Sequence, residues 1–313
     1  MSPKMQNNPR PSLLYRMFDS DAGYKFRSSP ITVLAGVVAV LMIGAAILAP
    51  LIAPFDPFNK ASIDLMNSLT PPAWQQGGNP AFLLGTDDQG RDLLSAILYG
   101  TRTSVMVGAI SVLLAVTAGI FLGLIAGYFG GIVDALVMRI VDIQMTFPAI
   151  MVALMIDGVS RTLLPRDRHD DLAIFVIILA MALSIWPQVA RTVRASTMVE
   201  RGREYVQAAQ VIGRGPWVIM ARHVLPNVMG PVLVIATINL GVAILGEATL
   251  SFLGVGIPAS EPSLGTLIRI GNNFIFSGER WMLIYPGLTL ALLVLSVNLL
   301  GDWMRDVLDP KLR

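Results

Sequence analysis

The amino-acid sequence predicts an all-α integral membrane protein with six transmembrane helices. Three observations carry this prediction: hydrophobic residues make up 54% of the chain, charged residues only 14%, and the mean hydropathy is +0.65. Soluble domains carry about 25% charged residues. The apolar residues fall in long uncharged runs, and the basic residues collect in polar stretches between these runs, as in chains that cross a membrane several times.

The composition also argues against several functional classes. The net charge is only +2 and the basic residues are segregated by loop, which does not suit a nucleic-acid-binding protein. The chain has no cysteine, so we expect neither a disulfide framework nor a thiolate metal site. A polar stretch of about 30 residues precedes the first apolar run, which predicts a retained span rather than a cleaved signal peptide.

The first two spans follow a basic N-terminal segment. Residues 1–30 hold five basic and two acidic side chains, so we expect this segment in the cytoplasm. Residues 31–55 carry no charge and predict the first span. Residues 56–101 hold five Asp against Lys60 and Arg91 and predict an exported loop. The remaining five spans then form one transmembrane domain over residues 102–302.

The second span, about residues 103–127, carries small residues at every fourth position. Such a stripe lets two helices approach closely, and we expect it to pack within this chain. Its members are Ser111, Ala115, Gly119, Gly123 and Gly127.

The third span, about residues 132–156, contains charged residues. Arg139 and Asp142 are three positions apart and can pair on one helix face. Two interpretations stay open for them and for Asp134. Charges at membrane depth are candidates for function, but charges near a cytoplasmic helix end can reach water instead.

The later spans complete a topology with both chain ends inside. Residues 157–171 predict an outside loop and residues 172–190 the fourth span. The fifth span covers residues 228–246, with Glu247 at its outer end. Residues 248–281 return outside with irregular backbone around Pro258, Glu261 and Pro262. Residues 282–301 form the sixth span, and residues 303–313 a cytoplasmic tail.

The longest polar passage between two spans, residues 191–226, is predicted to lie in the cytoplasm. It holds six arginines against two acids between Arg191 and Arg222. Helical spacing predicts a short helix that ends at Gly213. Its expected contact face consists of Tyr205, Ala208, Ala209 and Ile212. A solvated amphipathic loop helix is the simpler alternative.

This passage resembles the cytoplasmic coupling segment of ABC import permeases. Ala208-Ala209, Gly213 and Leu225-Pro226 fall at the spacing of that family's Glu-Ala-Ala, Gly and Ile-x-Leu-Pro pattern. Gln207 replaces the usual Glu, and His223 the usual Ile. The departure at Gln207 puts a charge contact in doubt, for which Glu204 can substitute. The resemblance implies that the segment transmits motion from a separate ATPase, through Glu204, Tyr205, Gln207, Ala208, Ala209, Gly213, Leu225 and Pro226.

Four further stretches resemble the second permease subunit of dipeptide, oligopeptide and nickel importers. They occur in family order at residues 52–57, 84–104, 247–265 and 286–310. The resemblance therefore extends over almost all of residues 30–313. It implies the type I ABC importer permease fold in a bacterial inner (plasma) membrane, with di- and oligopeptides as the expected cargo and nickel chelates or glutathione as alternatives.

A glycine-rich turn with alternating charges precedes the second span. Its charged residues and glycine are Asp87, Asp88, Gly90, Arg91 and Asp92. The resemblance implies contact with an extracytoplasmic substrate-binding protein on this side. The alternative is an ordered turn that is held by its own Asp side chains.

The energy source is expected outside this chain. Its four lysines follow Pro3, Tyr24, Asn59 and Pro310, so none completes a glycine-lysine phosphate loop. The resemblance implies ATP and magnesium in two separate ABC ATPase subunits, a homologous but distinct permease as partner, and surrounding lipid, with no nucleic acid and no cofactor in this chain.

Two other classes compete with this interpretation. An ion-driven secondary transporter would use Asp142 or Glu247 as its cation site. An intramembrane hydrolase would need a base beside a nucleophile, and His169 and His223 lie in predicted loops on opposite sides.

Overall fold

The computed structural model is a bundle of helices and describes residues 21–57, 64–163, 165, 169–258, 261 and 263–308. Most of the predicted N-terminal segment, Lys60, Pro262 and the last five residues of the tail lie outside this description. The helices, numbered in chain order, are α1 Asp21–Ser28, α2 Pro30–Ile47, α3 Ala49–Ile52, α4 Leu93–Phe129, α5 Gly131–Thr146, α6 Ala149–Leu163, α7 His169–Arg201, α8 Glu204–Val211, α9 Pro216–Ile219, α10 Leu225–Phe252, α11 Leu264–Asn273 and α12 Trp281–Leu308.

The predicted all-helical architecture is confirmed. Helices α2, α4, α7, α12 and the continuous run from Pro216 to Phe252 are each long and apolar enough to cross a membrane, and α5 with α6 gives a sixth span if the bent pair counts as one. Within the described residues no β-strand occurs, and Thr86 and Asp92 form an isolated bridge. Six spans are therefore the architecture that both sequence and structure support.

The third span differs from its prediction because it is broken. Helices α5 and α6 meet at an angle of 91° across a break at Phe147 and Pro148. Proline lacks a backbone N–H and disfavours helical geometry in the residue before it, and Phe147 has φ −90° and ψ 132°. The expected outside loop at residues 157–171 is also shorter, because α6 continues to Leu163 and α7 begins at His169.

Helices α4 and α7 extend well beyond the predicted spans. They contain 37 and 33 residues, whereas about 20 residues cross a bilayer core. Residues 191–201, predicted as the start of the polar segment, are a continuation of α7 rather than a loop. Polar and charged side chains do not interrupt a helix whose backbone stays hydrogen-bonded, and Pro187 lies inside it without ending it.

The small-residue stripe packs within this chain, as predicted. All five of its members are buried. A Cβ atom added at Gly119 would lie 2.6 Å from the Val189 Cβ, and one added at Gly123 would lie 2.6 Å from the Ala190 carbonyl oxygen. The backbones of α4 and α7 therefore approach to a distance that only glycine permits.

The expected outside loop at residues 248–281 contains more helix than predicted. Helix α10 continues to Phe252, and α11 forms within the loop after Ser263, whose side chain accepts a hydrogen bond from the Thr266 N–H. Leu264, Leu267 and Ile270 lie on the buried side of α11. The three-residue spacing of these side chains is present in the sequence, but the surrounding Gly and Pro residues favoured an irregular loop over a helix.

The two ends of the described chain meet. The ring of Phe26 packs edge-on against the Trp303 ring, with 5.2 Å between the centroids. The Lys25 ammonium group donates a hydrogen bond of 3.4 Å to the Asp306 carbonyl oxygen. The N-terminal helix and the end of the last span therefore lie on the same side of the bundle.

Candidate functional site

The candidate coupling segment is a short helix followed by a sharp turn. Helix α8 ends at Val211, with Ile212 as its C-cap residue, and Gly213 follows with φ +80°. The Gly213 N–H donates to the Gln210 carbonyl at 2.9 Å, and the Arg214 N–H donates to the Ala209 carbonyl at 3.1 Å. Glycine adopts this left-handed conformation without steric cost and commonly ends helices in this way. The predicted helix end is therefore correct.

One side of α8 packs against the bundle, and the other side is exposed. Val206 and Ala209 are buried and belong to the same apolar cluster as Ile219 and Val224. Of the expected face, only Ala209 is buried, whereas Tyr205, Ala208 and Ile212 are exposed. Val206 was missed, although its position three residues before Ala209 places both on one side of the helix.

The outer side of the coupling segment presents large apolar side chains to solvent. Val211 is 88% exposed, Ile212 76% and Trp217 59%. The Trp217 ring packs against Phe129 at the end of α4, with 6.0 Å between the centroids. Exposed apolar side chains grouped in this way mark a surface that associates with another molecule.

Polar contacts fasten α8 to the neighbouring helices. The Tyr205 hydroxyl donates a hydrogen bond to the Glu200 carboxylate at the end of α7 and accepts one from the Asn227 amide at 3.2 Å. Burial, followed by the contacts with Glu200, raises the pKa of Tyr205 to about 12. The Gln207 amide donates to the Gly202 carbonyl at 3.2 Å, and the Glu204 side chain is exposed. Tyr205 thus links the end of α7, α8 and the start of α10.

Leu225 and Pro226 form the first turn of α10. Leu225 is half-buried and packs against the apolar cluster that holds Val206 and Ala209. Pro226 is exposed, and its missing N–H costs little at a helix start. A single π-helical turn, Met220–Val224, joins α9 to α10 without a loop. The coupling segment therefore connects directly to the fifth span.

The glycine-rich turn before α4 is held by its own side chains. The Arg91 Nε lies 2.6 Å from the Asp87 Oδ2, and both side chains are buried. The Asp92 carboxylate accepts a hydrogen bond of 2.8 Å from the Ser95 N–H and caps α4. Gly90 has φ +77°, and a Cβ atom added there would lie 2.2 Å from the Asp64 carbonyl oxygen. This geometry supports the alternative in which the turn is ordered by its Asp residues.

Asp88 is the more exposed acid of this turn. Its side chain is half-buried, and burial, followed by the charge of Asp87, raises the pKa of its carboxyl group. Asp88 therefore remains accessible to a partner on this side, unlike Asp87 and Asp92.

The charged residues of the third span pair with α7 and not with each other. Asp142 forms an ion pair with Arg191, and the Arg194 Nη2 donates to the Asp134 Oδ2 at 2.6 Å. The expected pairing of Arg139 with Asp142 is wrong, and no ion pair in the described part of the chain includes Arg139. An arginine on a neighbouring helix can face the carboxylate directly, whereas a pair on one helix depends on bending two side chains along it.

Glu247, predicted to mark the outer end of the fifth span, is buried inside the bundle, and its helix continues to Phe252. Its side chain is fully buried and accepts hydrogen bonds from the Ser104 hydroxyl at 2.6 Å and the Ser251 hydroxyl at 2.8 Å. The Ser104 oxygen also accepts from the Leu264 N–H at 3.3 Å. The spacing of Glu247 and Ser251 could have indicated this contact, but nothing in the sequence indicates Ser104.

Comparisons with known proteins agree with this fold. Residues 119–313 match the family described as binding-protein-dependent transport system inner membrane component, and residues 20–72 match the N-terminal transmembrane domain of oligopeptide transport permease C. A chain of the inward-facing MetNI methionine ABC transporter superposes with a TM-score of 0.54 at 19% identity, over 69% of this chain and 98% of that chain. This similarity concerns the fold alone.

Three curated relatives align over nearly the whole sequence. The dipeptide transport system permease protein DppC of Haemophilus influenzae is 42% identical over 281 residues, which is 90% of each chain. DppC of Escherichia coli K12 is 40% identical, over 92% of this chain and 91% of its own length. The di/tripeptide permease DppC of Pseudomonas aeruginosa is 37% identical, over 90% and 88%.

The helical bundle, with a surface helix between its spans, shares the fold of the MetNI permease chain. The chain belongs to the family of binding-protein-dependent transport system inner membrane components. It is a multi-pass inner membrane transport subunit rather than an enzyme. Membership of this family implies ATPase and substrate-binding partners. It also argues against the two alternatives, an ion-driven secondary transporter and an intramembrane hydrolase.

Proposed function

We propose that this chain is one of two pore-forming permeases of an ATP-driven importer for di- and oligopeptides. The relatives named above are dipeptide and di/tripeptide permeases at 37–42% identity, which supports the peptide cargo. A homologous but distinct permease supplies the other half of the path. A substrate-binding protein delivers the peptide from outside, and two ABC ATPase subunits supply the energy.

The coupling segment carries the mechanical part of this proposal. Its inner side, with Val206 and Ala209, is anchored in the apolar core of the bundle. Its outer side exposes Val211, Ile212 and Trp217. A surface helix that is anchored on one side and exposes apolar groups on the other suits docking into an ATPase groove. Within the segment we assign transmission to Glu204, Tyr205, Gln207, Ala208, Ala209, Gly213, Leu225 and Pro226.

The transport cycle follows from this attachment. Closure of the ATPase subunits on ATP draws the coupling helices together, and the spans that continue from them change their tilt. The path then opens to the outside, and hydrolysis resets it. Each ligand shifts the balance between the two states only by its difference in affinity for them. ATP and magnesium are bound by the partner subunits.

An Ile212→Asp substitution tests this docking surface. Because Ile212 is 76% exposed, the permease itself should lose no more than about 0.5 kcal/mol of folding stability. A charge in the centre of an apolar interface typically costs more than about 2 kcal/mol, so ATPase co-purification and ATP-dependent uptake of a labelled dipeptide should fall at least about tenfold.

Phe276→Asp provides the matched control, because Phe276 is 99% exposed and lies outside the coupling segment. It should leave ATPase attachment and uptake unchanged. Full attachment and uptake in the Ile212→Asp variant would contradict the assigned docking surface.

Competition of wild-type uptake by tripeptides, glutathione and nickel chelates separates the candidate cargoes, and failure of the peptides to compete would contradict the peptide assignment.

A further inference from the structure

A polar stripe runs along the half of α7 that leads to the coupling segment. Gln188, Thr192, Ser196 and Glu200 follow one another at intervals of four residues, so they share one face of the helix. The opposite face of this part of α7 packs Val189 and other apolar groups against α4. Polar side chains on a membrane-crossing helix face the bundle interior or a water-filled cavity.

This stripe forms one wall of a cavity of about 650 Å³. Helix α10 forms the facing wall, through Asn227, Gly230, Pro231 and other residues up to Ile238. A Cβ atom at Gly230 would meet nothing within 4 Å, so the space beside it is open. Pro231 has no N–H to give to the Asn227 carbonyl, which leaves that oxygen without its usual helical donor.

Several polar side chains that line the cavity make no hydrogen bond to other described residues. Within the part of the chain that the structure describes, the side chains of Gln188, Ser196 and Arg305 have no hydrogen-bond partner. Glu200 and Arg305 place opposite charges on its lining. Amide, hydroxyl and opposite charges are the groups that recognise a peptide backbone with free ends.

A second groove in the same molecule has the opposite character. It lies between α2, α4 and α12, has a volume of about 390 Å³, and is lined almost entirely by leucines and other apolar residues. Its threonines, Thr101 and Thr289, donate to carbonyls of their own helices at 2.7 and 2.8 Å. That groove suits lipid chains, whereas the cavity beside α7 suits water and a polar solute.

We propose that the cavity between α7 and α10 is the inner section of the peptide path and holds a small zwitterionic peptide before release. This assignment rests on the proposed function. A volume near 650 Å³ equals about 20 water molecules and lies within the usual range of small-molecule sites. The uncharged groups of α7 bind peptide amides of any sequence, while Arg305 and Glu200 attract the carboxylate and the amine.

Single cysteines test the cavity directly, because the chain has none of its own. The Ser196→Cys variant places a thiol on the stripe. Met198→Cys is the matched control, because Met198 is 51% exposed and lies two residues further on, on the opposite face of the helix. The assembled transporter is prepared in inside-out membrane vesicles, and a membrane-impermeant maleimide is followed on this subunit by mass spectrometry.

The thiol of the Ser196→Cys variant lies inside the cavity, so bound peptide should slow its reaction, whereas the Met198→Cys thiol on the opposite face should react at the same rate with or without peptide. A saturating dipeptide should slow the reaction of the Ser196→Cys thiol at least about threefold, whereas the same dipeptide with acetylated and amidated ends should not. Thr192→Cys should behave like Ser196→Cys and serves as the second position on the stripe.

Labelling of the stripe thiols that the free dipeptide leaves unchanged, or slows no more than labelling of the control thiol, would overturn the proposal. Wild-type uptake of the labelled dipeptide is measured in parallel. If the wild type takes up no dipeptide, the proposed function is wrong. If it takes up dipeptide but the labelling pattern differs from the one expected, only the assignment of the cavity is wrong.

Discussion

The carboxyl group of Glu247 joins three parts of the bundle. Through Ser104 it reaches α4, through Ser251 it holds the end of α10, and the Ser104 oxygen accepts from the first N–H of α11. A buried carboxyl group is costly unless it is hydrogen-bonded, so these contacts stabilise the arrangement only while all of them are made.

Glu247→Ala should lower the free energy of unfolding by about 2–4 kcal/mol, because it leaves two buried hydroxyls without a partner and opens a cavity. Glu247→Gln preserves the volume and can still pair with both serines, so it should lose about 1 kcal/mol or less. Thermal unfolding of the purified protein in detergent, followed by tryptophan fluorescence, measures both. Equal melting temperatures for the Ala variant and the wild type would contradict the bridging role.

Single residues differed in how well the sequence predicted them. Gly213 could be predicted, because a helix end with positive φ has a glycine signature. The side of α8 that packs on the bundle could not, because an eight-residue helix offers too few turns for the pattern to separate Val206 from Tyr205. The partners of Asp134 and Asp142 lie 60 and 49 residues away, so local spacing gave no indication of them.

The close contact between α4 and α7 is the main joint between two whole elements. Gly119, Gly123 and Gly127 each place the α4 backbone against side chains or carbonyls of α7. Lipid provides no hydrophobic force between two helices, so their association depends on this close fit and on polar contacts.

Gly123→Ala should force the helices apart, since the new Cβ would lie 2.6 Å from the Ala190 carbonyl oxygen. We expect a loss of about 1–3 kcal/mol in unfolding free energy. Gly44→Ala is the control: it lies in α2 and its Cβ would meet nothing within 4 Å, so it should be neutral or stabilising by up to about 1 kcal/mol. Thermal unfolding compares them, and similar melting temperatures would argue against close packing at Gly123.

The observed helices agree with the prediction from the sequence where long apolar runs define the spans. Six spans were predicted, but two features were missed. The first is the break of the third span at Pro148. It was missed because a sequence shows a proline without showing whether the neighbouring helices will tolerate a kink. Helix α11 depends on burial of Leu264, Leu267 and Ile270 against the bundle, and such tertiary support is invisible in a ten-residue window.

At the scale of the whole molecule, the first and last helices that the structure describes lie side by side. The Phe26–Trp303 contact puts α1 beside the end of α12. Residues 1–30 hold five basic side chains against two acidic ones, and the positive-inside rule puts such a segment in the cytoplasm. The turn around Gly77 and the coupling segment should then lie on opposite sides of the membrane.

This topology predicts the behaviour of reporter fusions. Alkaline phosphatase folds only outside the cytoplasm, where its disulfides form, so its insertion at Gly77, an exposed turn residue with φ +85°, should give an active enzyme. The same insertion at Gly215, in the exposed part of the coupling segment, should give at least about tenfold less activity. Comparable activity at the two sites would contradict the assigned sidedness.

The uninterrupted length of α7 has a mechanical consequence. Its 33 residues form a rod of about 50 Å that has one end at the coupling segment. Because the helix is continuous from its surface part to its buried part, the rod can act as a lever: displacing its tip by about 5 Å would incline it by roughly 6°, at a rise of 1.5 Å per residue. A modest push at the membrane surface thereby becomes a change in the angle of a wall deep within the bilayer.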